Sequence, residues 1–384
     1  MNSNITQSLG ETSNILKKLA LDIHANPELG LQEYKAVEKQ IKLLKEWGFD
    51  VEIPFSRLET AYKAVSGTEG PCFCFMSEYD ALPELGHACG HNLIAMTALG
   101  AGKALAETLK KEKIPGKVVI MGTPGEEGAG GKVHIVERGG LSGIDAVIMA
   151  HPGFRTATWK GCLAVKRFNI SFKGKAAHAS GAPEKGKNAL DAIMLLFHGV
   201  NAWREHTPET SRIHGIVTNG GAVPNIVPET ASCSFYIRAQ DEGTMEILEK
   251  RLKKIVEGAA LMTETESLQE EKERGYKSGA PNQHLNNEYF RITEALGMSP
   301  VIPESCSRAS TDFGDVSQVL PATHVYFGIL QDHDRNAPLH SIEFAKAAKS
   351  EFGLSQALKT ANSLAQVGYK FFTDDAFRKQ VTGC

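Results

Sequence analysis

The sequence predicts an α/β protein: a mixed, mainly parallel sheet flanked by helices, into which a smaller α+β unit is inserted. Three observations carry this expectation. Apolar runs of strand length at 72–76, 118–121 and 146–149 alternate with helical stretches such as 93–109, the order that builds a largely parallel sheet with helices on both faces. Between about 163 and 265 the pattern changes to strand, helix, strand, strand, helix, with its own apolar periodicity. And 384 residues exceed what one hydrophobic core usually organises, so two units of unequal size are expected. The boundaries read as a first unit over 1–162, an insertion over 163–273, and a return to the first unit over 274–384.

Each element follows from local pattern. Ile15, Leu19 and Ile23, then Val37, Ile41 and Leu44, recur at helical spacing, with Asn26-Pro27 and Gly48 as breaks, so 11–49 reads as a helical pair. PCFCFM and KVVIMG read as buried strands, and a third closes on MAHPG. In the insertion, VKRFNISFKG, RIHGIVTN and TASCSFYIRA read as strands, with helices over 188–203 and 244–261. A helix over 285–296, a strand over 324–329 and a long helix after Ser341 complete the first unit.

Composition narrows the function. A formal charge of −3 leaves no basic footprint for nucleic acid and no polybasic membrane patch. No apolar run reaches bilayer-spanning length, and the polar start MNSNITQSLG lacks a signal-peptide pattern. A soluble cytoplasmic protein is expected. Seven cysteines, an odd number without a short secreted-type framework, read as free thiols in a reducing compartment. Cys72, Cys74, Cys162, Cys233 and Cys306 read as small core residues, and Cys384 as a mobile chain end.

The chemistry-bearing residues follow the strands, where parallel sheets place their ligands. Asp80, Cys89 and His91 come after the first strand, Glu126 and Glu127 after the second, and His151 at the end of the third. Cys89 and His91 sit in a Gly-punctuated loop before a helix, which suits either a metal pair or a Cys–His nucleophile. Glu126 and Glu127 enter the small-residue run GAGG, which leaves room for a ligand; adjacent carboxylates can divide metal binding from proton transfer. The same run fails as a phosphate loop, because Glu126 stands where a Gly is needed and Val133 where a Ser or Thr is needed. A nucleotide site is rejected. His340 in NAPLHS and His178 in GKAAHAS are further candidates.

In order along the chain, EYDALPELGHACGHN, GTPGEEGAGGK, AHPG, FKGKAAHAS, VPNIVPETA, STDFGDVSQVLPA and APLHS resemble the aminoacylase/carboxypeptidase family of metallopeptidases, within it the Cys-containing amidohydrolase subfamily. The resemblance runs over nearly the whole chain. It implies a zinc-exopeptidase-like catalytic domain carrying an inserted ferredoxin-like lid that dimerises. It implies two divalent ions per subunit held by Cys89, His91, Glu127, His151 and His340, with Cys89 the candidate bridge and Glu126 as general base and acid. His178 matches the lid histidine that polarises the scissile carbonyl, and Asn225 the lid asparagine near the substrate carboxylate. One departure is Asn92, where much of the subfamily has Asp after HACGH; the Asn form resembles the branch of p-aminobenzoyl-glutamate hydrolases and dipeptidases acting on β-alanyl or similar dipeptides.

The expected activity is hydrolysis of an amide bond in an N-acyl amino acid or dipeptide. Zinc or manganese is the expected metal, with cobalt or nickel also compatible. Arg238 and Arg308 join Asn225 as candidate receptors of a substrate carboxylate. Asp80 either orients a ligand imidazole or caps its loop, and Asn92 is expected to orient a ligand without adding charge. Two alternatives stand beside this: a cysteine amidase using Cys89 as nucleophile, and a non-catalytic metal- or peptide-binding protein on the same fold.

Overall fold

The computed structural model describes residues 1–331 and 337–383; Cys384 lies outside them. The chain divides into two compact units. One comprises Met1–Gly161, Gly279–Ser307 and Thr311–Cys384, and the other Cys162–Ser278 with Arg308–Ser310.

The first unit opens with α1 (Ser3–Ala25) and α2 (Tyr34–Glu46). Helix α1 begins well before the expected start at residue 11, because the Asn2 side chain caps it, accepting from the Asn4 amide at 2.8 Å, and Ile5 and Leu9 extend its buried stripe. Next come β1 (Asp50–Glu52), β2 (Tyr62–Ser66), β3 (Cys72–Ser77), α3 (His91–Glu112), β4 (Lys117–Gly122), α4 (Gly131–Glu137) and β5 (Ala146–Gly153). The second unit contains β6 (Ala164–Lys173), α5 (Ala189–Arg204), β7 (Arg212–Asn219), β8 (Thr230–Ala239), α6 (Glu242–Thr263) and β9 (Glu266–Tyr276). The chain then returns to the first unit with α7 (Gln283–Ala295), α8 (Phe313–Ser317), β10 (Ala322–Gly328), α9 (Ile342–Ala347), α10 (Glu351–Thr373) and α11 (Asp375–Thr382). The long helix expected after Ser341 is thus three helices. Ser350 and Asp374 restart the chain by capping the amides of Gly353 and Phe377.

Six strands of the first unit lie in the order β1-β2-β4-β3-β5-β10. The β4-β3-β5-β10 block is parallel, and β2 joins it antiparallel, with β1 antiparallel to β2. The mainly parallel sheet expected from the alternation is present, with a short antiparallel edge. Every residue of β3 is buried, and α3 packs on it with apolar side chains nearly all round. Strand β3 has β4 on one side and β5 on the other, so the crossovers leave it in opposite directions and open a crevice at the carboxyl ends.

The second unit is a four-stranded antiparallel sheet in the order β7-β8-β6-β9 with α5 and α6. This is a ferredoxin-like β-α-β-β-α-β arrangement. Its last strand, β9, has no counterpart among the sequence expectations: ESLQEEKERGY carries charges where a buried strand would carry apolar residues, and it lies on the sheet edge. The sheet buries one face against the helices through alternate residues, as in β8, where Ala231, Cys233, Phe235, Ile237 and Ala239 are buried.

Candidate metal centre

The loops after β3 and β4, the carboxyl end of β5 and the residues just before α9 bring the donors of the first unit together. After β3 the chain reaches Glu78 and Asp80, both buried, and then Cys89 and His91. Gly90 separates the last two with φ of +78°, and a Cβ there would lie 2.6 Å from the Pro152 ring. The turn that aims Cys89 and His91 at one point therefore requires glycine.

Two tautomers are set by neighbours. Nδ1 of His91 lies 2.9 Å from Oδ1 of Asp80 and 3.0 Å from its carbonyl, and Nδ1 of His151 lies 2.6 Å from the Pro152 carbonyl. Both rings are left to present Nε2. Nε2 of His151 is 3.5 Å from Cys89 Sγ, and Nε2 of His91 is a buried atom with no hydrogen bond among the described residues. His340, whose amide donates to the Ala88 carbonyl at 3.1 Å, places Nε2 3.3 Å from Glu127 Oε1. The amide of Glu127 donates to the second Asp80 oxygen at 2.9 Å.

Three overlapping donor groups result, each with its atoms within 4.8 Å of one another: Cys89, His91 and His151; Cys89, Glu127 and His340; His91, Glu126 and Glu127. Electrostatics favours a cation among them. Burial opposes charge on His91, yet Asp80 and Cys89 outweigh it and hold its pKa well above the ordinary value. Burial lowers His151 to about 4, with His91 adding to the effect, which leaves a neutral ring with a free lone pair. Asp80, despite its burial, is held down at about 2 mainly by His91. Burial pushes the Cys89 thiol up to about 12, helped by Glu127 and Glu126.

Glu126 is partly exposed. Burial first, then the nearby carboxylates of Glu78, Asp312 and Glu127, raise its carboxyl well above the usual range. Beside it runs a network absent from the sequence expectations: Lys132, wholly buried, sets Nζ 2.5 Å from Glu78 Oε1 and 2.7 Å from Asp312 Oδ1. Asp312 also accepts the Lys132 amide at 2.9 Å. Burial opposes the charge on Lys132, but the two carboxylates hold it firmly protonated. The only sequence signal is the lysine of GAGGK, in a run that fails as a phosphate loop.

Asn92 acts differently from the expectation. Its amide donates to the carbonyls of Ala20 at 3.2 Å and Ala348 at 2.9 Å, so it ties the start of α3 to α1 and to the end of α9. Its bonds go to helix carbonyls and not to an imidazole.

The other candidates belong to the second unit. His178 is exposed, and its Nδ1 accepts from the amides of Ser180 at 3.3 Å and Gly181 at 3.1 Å, which leaves the proton on Nε2. Asn225, also exposed, accepts the Ala179 amide on its carbonyl at 3.0 Å, so the two loops are neighbours. Arg238 donates to the Ser310 hydroxyl at 2.7 Å, beside a cavity of about 730 Å³ on the helix-free face of the sheet. Burial and the neighbouring Arg167 lower its pKa. Arg308 is exposed.

Residues 164–263 match the family model described as "Peptidase dimerisation domain". Over 377 residues the chain is 33% identical to a Xaa-Arg dipeptidase of Mus musculus, covering 94% of this chain and 86% of that protein. The chain belongs to the M20 peptidase family. It is also 33% identical over 302 residues to a p-aminobenzoyl-glutamate hydrolase component of Escherichia coli strain K12, with 73% of this chain and 62% of that protein covered. The fold superposes with a TM-score of 0.71 on a Bacillus subtilis protein described as a dinuclear metal-binding peptidase of the M20 family, at 20% identity over 93% of this chain and 98% of that one. As a member of the M20 family the chain is a metal-dependent amidohydrolase. Among the described residues no helix is long and apolar enough to cross a membrane.

Proposed function

We propose that Cys89, His91, Glu127, His151 and His340 hold two divalent metal ions, and that the chain hydrolyses N-acyl amino acids or dipeptides there. The observation that carries this reading is the sharing of one sulfur. Cys89 belongs both to the group with His91 and His151 and to the group with Glu127 and His340, an arrangement suited to two adjacent ions with a common ligand. The Nε2 of His91, buried and without a hydrogen bond, lies 3.5 Å from Glu78 Oε2 and fits a metal ligand beside a carboxylate. Thiolate, imidazole and carboxylate donors suit zinc, and manganese, cobalt or nickel are compatible. The relatives named as dipeptidase and aminobenzoyl-glutamate hydrolase support a small amide substrate with a free carboxylate.

Bound ions would polarise the scissile carbonyl and lower the pKa of water toward neutrality. The chain's own groups do the rest. Glu126 takes the proton of the attacking water on its carboxylate and passes it to the leaving nitrogen. Asp80 fixes the Nδ1 proton of His91, and the Pro152 carbonyl that of His151, so neither ring turns away. In the inserted unit His178 is prepared to donate from Nε2 to a developing oxyanion. Asn225 and Arg238 are the carboxylate receptors; Arg238 is chosen over the exposed Arg308 because it is a half-buried cation beside a cavity. A Cys89 nucleophile is disfavoured, since its sulfur belongs to two groups of metal-ligating atoms at once.

The inserted unit is also read as the surface of a homodimer. Strand β7 lies at one sheet edge with Ile216 66% and Val217 45% exposed, whereas the opposite edge, β9, is rich in glutamate. Free cysteines accord with a cytoplasmic location.

The test is metal content and amine release. Protein stripped with chelator and reloaded with zinc or manganese is assayed on p-aminobenzoyl-glutamate, N-acetyl amino acids, β-alanyl dipeptides and dipeptides ending in arginine. Two ions per chain and cleavage that returns only with metal are expected. Cleavage indifferent to stripping would sink the proposal.

A further inference from the structure

The connection between α1 and α2 carries a carboxylate outside every motif of the site. Glu33 is wholly buried, and its oxygens take bonds from three separate stretches of chain. Oε1 accepts from the Leu31 amide at 3.0 Å and from the Gly125 amide at 2.8 Å, and Oε2 accepts from the Thr60 hydroxyl at 2.8 Å. The Thr60 carbonyl in turn accepts from the phenol of Tyr79, the residue before Asp80, at 2.5 Å.

The same connection braces the site on its other side. The Glu28 carbonyl accepts the Ala81 amide at 2.8 Å, and Leu29 pairs with Ala81 in an isolated parallel bridge. Backbones meet here without room for side chains: a Cβ on Gly30 would lie 3.0 Å from the Gly125 Cα, and one on Gly125 would lie 3.2 Å from Leu31 Cδ2. Leu31 holds φ of +64°, a costly value for a residue with a branched side chain, and its amide is one of the two that Glu33 Oε1 secures.

Gly125 immediately precedes Glu126, and Asp80 already accepts the amide of Glu127 on the far side. We propose that Glu33 is a positioning residue: it fixes the Gly125 amide as Asp80 fixes that of Glu127, so that the Pro124–Gly125 peptide unit before Glu126 and the Glu126–Glu127 unit after it are each held by a buried carboxylate. Glu126 then meets its proton from a backbone that cannot drift, and a drift of about 1 Å is enough to cost on the order of a hundredfold in rate. The catalytic part of this inference rests on the role of Glu126 proposed above; the clamp itself does not.

Two substitutions separate geometry from mere presence. Glu33→Gln keeps an amide oxygen for Leu31 and Gly125 and turns its NH2 toward the Thr60 hydroxyl, which accepts as readily as it donates. Glu33→Ala removes the acceptor. In metal-loaded protein, Glu33→Ala is expected to lose on the order of ten- to a hundredfold in kcat with little change in KM, while Glu33→Gln stays near wild type. In metal-free protein, hydrogen exchange at the Gly125 amide is expected to accelerate in Glu33→Ala relative to both wild type and Glu33→Gln. Should Glu33→Ala not fold, Glu33→Asp serves instead, because it keeps the charge and withdraws the oxygen by one methylene. Unchanged Gly125 exchange in the alanine or aspartate variant overturns the clamp, as does an equal loss of kcat in Glu33→Gln. A wild-type chain that cleaves nothing would count against the proposed reaction alone, since the exchange measurement still reads the clamp.

Discussion

In the six-stranded sheet, β3 is buried on both faces and its carboxyl end runs directly into the donor loops. The four-stranded sheet buries one face against two helices and leaves the other lined by Ser232, Ser234, Tyr236 and Arg238. The candidate side chains differ accordingly. Asp80, Cys89 and His91 are buried and electrically coupled, each with a displaced pKa, whereas His178 and Asn225 stand in solvent on neighbouring loops. Burial manufactures unusual ionisation, and an exposed loop supplies a donor whose tautomer is fixed by backbone amides. A substitution in the first region should therefore disturb folding along with chemistry, and one in the second should leave folding intact while it alters turnover, encounter or assembly.

The largest expected effect tests the first half of that contrast. Glu126→Gln should lose at least roughly a hundredfold in kcat, the usual range for a general acid–base group, while calorimetric titration still counts two ions. Wild-type turnover in that variant would remove Glu126 from the mechanism.

Lys132→Met comes next. It leaves Glu78 and Asp312 facing each other without their cation, and breaking such a buried network costs about 3–5 kcal/mol. A large fall in denaturation midpoint is expected; an unchanged midpoint would mean that the network contributes no stability.

The comparison would be sharpened from the other side by Ile216→Lys on the β7 edge. Sedimentation should show a monomer whose secondary structure and thermal midpoint stay close to those of wild type, because the residue is exposed. A dimer that survives the substitution would move the interface elsewhere.

The smallest effect concerns pH. Burial, followed by the nearby Asp80, pushes the Glu33 carboxyl from 4.5 up to about 7. A raised carboxyl means that the folded chain binds the extra proton between those values, so its contribution to stability is full below about 4.5 and is lost as pH rises toward 7. Glu33→Gln should therefore gain on wild type across that window, by at most about 3 kcal/mol, and the gain should level off above it. Parallel denaturation curves at pH 5 and pH 8 check the sign.

The parts of this architecture legible in sequence are those where one local pattern dominates. Apolar runs mark β3, β4, β5 and β8, and each donor loop follows a strand end. The rest depends on partners distant in sequence. Strand β9 pairs with β6 through its backbone, so its glutamates conceal it. Glu78, Lys132 and Asp312 are ordinary polar residues in isolation, and become a site only because the fold brings the lysine within 2.7 Å of both carboxylates. Glu33 is hidden for the same reason. Asn92 invites a reading beside its sequence neighbour His91, although its bonds run to α1 and the start of the α9–α10 link.

The donor loops are also separated in time. Cys89, His91, Glu126, Glu127 and His151 are all synthesised before the inserted unit begins, but His340 follows only after the whole of Cys162–Ser278 has been made. During synthesis the nascent chain therefore carries an incomplete set of the proposed ligands while an entire second unit is being translated. If these residues hold metal as proposed, the group containing Cys89, His91 and His151 is complete in sequence first, and the group that needs His340 must wait for the end of the chain.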